Sequence, residues 1–152
     1  MNISPTRQVI FQKINKGDKD CVCCGEGEET CLHLFKDCHL VRLLAFGSKW
    51  VCRMDFWFCE SLYQLVEICL RPDKSYLIQG TDKGAFLTFL ATLFYCIWNF
   101  KNSKLFEGPK NVWKLVSNFN LMLEDFLIAN AGTKCGSSSD SMEALSSLFT
   151  SN

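Results

Sequence analysis

The chain has 152 residues, enough for one hydrophobic core and at most a small appendage, and its 48% hydrophobic and 13% aromatic content excludes a disordered protein. Sixteen Lys and Arg balance sixteen Asp and Glu, so no global positive field marks a nucleic-acid binder, and any such contact has to come from a local patch. The longest apolar run, residues 85–98, is bounded by Lys83 and Lys101 and falls short of the roughly 20 residues a bilayer crossing requires, so a buried helix and no membrane span are expected.

Residues 1–20 read as an N-terminal arm that carries Arg7, Lys13, Lys16 and Lys19. The arm lacks the apolar run and small-residue cleavage site of a secretory signal, which predicts an intracellular protein, in the nucleus or the cytoplasm. Its ten cysteines are then expected as reduced thiols or metal ligands rather than as five disulfides.

Residues 21–50 hold the densest chemistry. Cys21, Cys24, His33 and Cys38 follow the pattern C-x2-C-x8-H-x4-C, and Gly25 favours the tight turn that brings the first two sulfurs to one side. Three thiolates and one imidazole form a closed structural zinc set with no position left for a reactive water. His33 and Cys38 are five residues apart, which on an ideal α-helix leaves them about 140° out of alignment, so the chain has to bend between them. Cys23, Cys31, Asp37 and His39 are spare ligands that spacing alone does not eliminate. Glu26, Glu28 and Glu29 read as a flexible acidic turn, not as a positioned acid–base pair.

Thr30 is the candidate cap for a helix from about residue 31 to Gly47. Three more helices follow in the region 51–131. The second has apolar residues at 58, 62, 65, 66 and 69, and Pro72 sits just past its end. The third, about 83–106, is capped by Asp82, carries Phe86, Leu90, Leu93, Phe94 and Ile97 on one stripe, and is broken by Gly108-Pro109. The fourth carries Val112, Leu115, Val116, Phe119, Met122, Leu123 and Phe126 at helical spacing. Phe86, Phe89, Trp98, Trp113 and Phe119 are expected in the core, and Cys52, Cys59, Cys69 and Cys96 as packed thiols. Residues 132–152 form a Ser-rich flexible tail. The fold class is therefore mainly α, a small zinc knuckle near the N-terminus followed by about four helices.

Thr6, Arg7, Cys21, Cys24, Gly25, Glu29, Thr30, His33, Leu34, Phe35 and Cys38 together resemble the zinc-binding segment that follows the reverse transcriptase of plant LINE-type, non-LTR retrotransposons. Trp98, Lys101, Asn102 and Phe106 resemble the linker from that module toward the ribonuclease H-like domain. Two departures stand out: the tryptophan usual after the last cysteine is missing from "VRLLAFGSKW", and Lys101 stands where arginine is usual. The resemblance implies a detached retroelement fragment with zinc as cofactor and contact with RNA or DNA. Arg7, Lys13, Lys16, Lys19 and Lys36 are the candidate nucleic-acid-binding residues, with Arg42, Lys49 and Arg53 further along. The alternative is a structural module whose apolar helices bind another protein chain, or a non-functional retroelement remnant. A non-enzyme is expected, because no polymerase aspartate pair, ribonuclease carboxylate set or Gly-rich phosphate loop is present in the sequence.

Overall fold

The computed structural model describes residues 19–71 and 82–132. The arm up to residue 18, with Arg7, Lys13 and Lys16, and the Ser-rich stretch 133–152 lie outside the described residues. The fold is mainly helical. A short metal-type knuckle leads into a single π turn, His33–Asp37, followed by helix α1 (His39–Gly47), a 3-10 turn (Met54–Phe56), α2 (Leu62–Leu70), α3 (Lys83–Glu107) and α4 (Val112–Gly132). Among the described residues the only β-pairing is an isolated antiparallel bridge between Asp20 and Glu28.

The caps are local and legible. The Asp82 carboxylate accepts the Gly84 N–H at 3.3 Å, starting α3 at the expected place. Gly108, at φ 91, takes a conformation open to glycine and ends the helix. The Asn111 side chain accepts the Trp113 N–H at 2.8 Å and starts α4. Ser61 accepts the Gln64 N–H and fixes the start of α2.

Helix α3 is the centre of the molecule and packs against α1, α2, α4 and the π turn. Its Phe86, Phe89, Leu90, Leu93 and Ile97 are buried. The Phe89 ring stacks on Trp50 at 5.0 Å and meets Phe119 of α4 edge-on at 6.2 Å, while Phe94 meets Phe35 of the π turn at 5.3 Å. These contacts join the knuckle, the segment after α1 and the C-terminal hairpin in one aromatic core. Helix α3 also has the length and apolar composition to cross a membrane, which the shorter run 85–98 does not by itself convey. Here 44% of that apolar window is buried inside the bundle.

Three expectations need correction. The helix expected over 31–47 is interrupted at Cys38, whose ψ of 132° leaves the helical region. Trp113, expected in the core, is 78% exposed, because α4 turns only the Leu115, Phe119 and Leu123 face toward α3. Position 58 is not on the inner stripe of α2: Ser61 starts that helix three residues later and Phe58 is exposed. Cys52, Cys59, Cys69 and Cys96 are buried thiols, as expected.

Candidate metal centre

The knuckle is built by backbone hydrogen bonds around two glycines. Gly25 N–H donates to the Cys21 carbonyl at 2.7 Å and Cys21 N–H donates to the Gly27 carbonyl at 2.9 Å, closing a loop over 21–27. Gly25 and Gly27 sit at φ 74 and 69, where a side chain costs about 1–2 kcal/mol, so this turn is written for glycine. The Glu26 N–H donates to the Cys24 sulfur at 3.4 Å, and that sulfur lies 3.2 Å from the Glu26 carbonyl.

The other half of the site comes from the π turn. The Thr30 hydroxyl accepts the His33 N–H at 2.9 Å, as an N-cap does. Leu34 and Phe35 anchor the turn in the core. The Cys38 N–H then reaches back five residues to the His33 carbonyl at 2.6 Å. That widened turn stacks positions 33 and 38 on one side, which an α-turn does not do.

The ligand atoms of Cys21, Cys24, His33 and Cys38 all lie within 4.8 Å of one another, so these four could hold a metal ion. Zinc bonds of about 2.3 Å to sulfur and 2.0–2.1 Å to nitrogen give tetrahedral edges of about 3.8 Å between two sulfurs and about 3.5 Å between sulfur and nitrogen. The Cys21 and Cys38 sulfurs are 3.9 Å apart, and the Cys24 sulfur is 3.4 Å from His33 Nε2. These two edges and the donor set suit a four-coordinate metal ion.

The sulfurs act on one another. Side-chain hydrogen bonding with Cys23, and after it with Cys38, holds Cys21 far below the ordinary thiol range. Sharing with Cys21 pushes Cys38 up to about 12 and raises Cys23 as well. The three thiols thus titrate as one group of sulfurs, with Cys21 the most acidic of them.

Of the spare ligands, Cys23 borders the cluster on the Cys21 and Cys38 side but is not one of the four that close together. Cys31 is half-buried and feels Lys101 and Glu29, with burial raising its thiol. Asp37 is held by Lys36 at 2.7 Å, and His39 is exposed on the first turn of α1.

Glu29 departs most from the sequence reading. It is fully buried rather than part of a flexible acidic turn. One carboxylate oxygen accepts the Val22 N–H at 2.9 Å, and the other lies 3.2 Å from the ammonium of Lys101 on α3, which is also fully buried. The Lys101 ammonium stands 4.7 Å from the centre of the Trp98 ring, and Lys104 reaches the Cys23 carbonyl at 3.4 Å. A carboxylate seventy-odd positions from its ammonium carries no local signal, so sequence reading left Glu29 among its exposed neighbours.

Among the candidate nucleic-acid residues within the described range, Lys19 is exposed, whereas Lys36 is mostly buried and paired with Asp37. Arg42, Lys49 and Arg53 are exposed near one another in sequence, and the Arg53 guanidinium lies over Phe56 at 4.3 Å and Phe46 at 5.6 Å. Asp55 holds Arg53 through two hydrogen bonds and approaches Arg42 at 3.8 Å.

Comparison with known proteins finds no matching family model, no matching curated protein and no matching solved structure.

Proposed function

We propose that this protein is a non-catalytic zinc module in which the metal staples the N-terminal knuckle onto a helical body. The observation that carries this reading is the closure of Cys21, Cys24, His33 and Cys38 into one group whose ligand atoms lie within 4.8 Å of one another, with the Cys21–Cys38 and Cys24–His33 edges close to those of a tetrahedral zinc. Four protein ligands fill the coordination shell, so the metal would act by holding chain segments together, not by activating water. The test is elemental analysis of protein purified under reducing conditions, on the wild type and on Cys24→Ser with His33→Ala. One zinc per wild-type chain and none in the double variant is the expected result; a folded wild type without metal would sink the reading.

A second reading adds nucleic-acid contact, the partner implied by the resemblance to retroelement zinc-binding segments. It is supported by Arg53 over two exposed phenylalanines, with Arg42 sharing Asp55 with it, since single-stranded nucleic acid takes aromatic platforms and cations together. Binding of a single-stranded oligonucleotide should then weaken log-linearly with salt and weaken further in Arg53→Ala. No measurable binding at low salt would dismiss it.

A further inference from the structure

The buried pair Glu29–Lys101 lies outside the four ligands, yet it connects the metal turn to the central helix. Glu29 is placed by two sets of contacts. Its backbone N–H donates to the Lys19 carbonyl at 2.8 Å, beside the Asp20–Glu28 bridge, and its side chain accepts the N–H of Val22, between the ligands Cys21 and Cys24. Lys101 comes from α3 and fixes the free rotation of that carboxylate. Lys104, one turn further along α3, reaches the Cys23 carbonyl inside the same C-x2-C turn. Two lysines from one helix therefore hold the backbone that presents two of the four ligands.

We propose that Glu29 and Lys101 are positioning residues of the metal site, and that α3 reads metal occupancy through them. The inference rests on the metal reading above. Groups that orient ligands from outside the coordination shell typically shift metal affinity by 10–100-fold when replaced. By reciprocity, whatever affinity the pair confers on the metal, the metal returns as stability to the helix that carries Lys101. A purely structural ion pair would behave differently: its loss would destabilise metal-loaded and metal-free protein equally and leave zinc affinity alone.

The experiment is zinc affinity by chelator competition on the full chain, for the wild type, Glu29→Gln, Lys101→Met, the double variant and Lys101→Arg. The single variants should bind zinc about 10–100-fold more weakly, with the double variant little worse than either single and Lys101→Arg recovering most of the loss. Hydrogen exchange on the wild type supplies a reading independent of any variant's folding: zinc should slow exchange over residues 97–104 of α3 as well as over 21–38. Affinities within twofold of the wild type, or protection confined to 21–38, would overturn the inference while leaving the metal reading intact. A wild type that takes up no zinc would overturn the metal reading, and this inference with it.

Discussion

The Cys38 N–H donates to the His33 carbonyl at 2.6 Å, five residues back rather than four. This single widened turn is what lets two residues at an awkward helical spacing face one ion. Moving the ligand to the α-helical position should therefore fail. Asp37→Cys in a Cys38→Ala background is expected to bind zinc or cobalt at least tenfold more weakly than the wild type. Visible thiolate–cobalt absorption reads it out, and full recovery of the wild-type spectrum would contradict the geometry.

The Thr30 hydroxyl caps the turn that carries His33. Thr30→Ala should cost about 1 kcal/mol of stability in chemical denaturation, and Thr30→Ser should retain most of it.

Val51 is a β-branched residue at φ 46, exposed just after the buried Trp50. No side chain there is holding the core, so the strained backbone is a net cost. Val51→Gly should raise stability by about 1 kcal/mol, seen as a higher denaturant midpoint with unchanged slope.

Phe89 touches Trp50, Phe86 and Phe119, whereas Trp113 projects from α4 into solvent. Phe89→Ala should cost about 3–5 kcal/mol and Trp113→Ala less than about 0.5 kcal/mol, measured by urea unfolding. Equal losses would mean that α4 presents a different face to the bundle.

Burial pushes the Cys52 and Cys69 thiols up to about 12 and Cys96 to about 11, from an ordinary 9.0. Unfolded, these thiols release protons from about pH 9 upward, while the folded protein retains them. Their contribution is therefore fully present below about pH 9 and is lost as pH rises toward 11–12. Stability measured on the Cys52→Ala, Cys69→Ala and Cys96→Ala triple variant should show a shallower alkaline decline than the wild type, from its lower starting value.

What could be read in the sequence was local. Asp82 and Gly108 bound α3 as written, and the C-x2-C-G, His and Cys pattern marked the four residues that meet, because caps and short turns depend on neighbours in the chain. The spare ligands could be set aside only once the π turn fixed which side chains converge, since that turn is chosen by the packing of Leu34 and Phe35 and not by spacing. Trp113 misled because apolar spacing on α4 runs wider than the single face α3 covers. Glu29 could not be told from Glu26 and Glu28 without Lys101, a partner supplied by another helix.

The distance along the chain between Glu29 and Lys101 also sets an order of events at birth. The hydrogen bonds of the loop over 21–27, the Thr30 cap and the His33–Cys38 turn all join residues up to 38, so they can form as soon as that stretch leaves the ribosome, whereas Phe35 has to wait for Phe94 of α3 to pack against it. Lys101 follows 72 positions after Glu29 (101 − 29), which at about 5–20 residues per second is a delay of roughly 4–14 seconds. During that interval the knuckle has only its own short-range hydrogen bonds, and the arrival of α3 converts it into one wall of a common core.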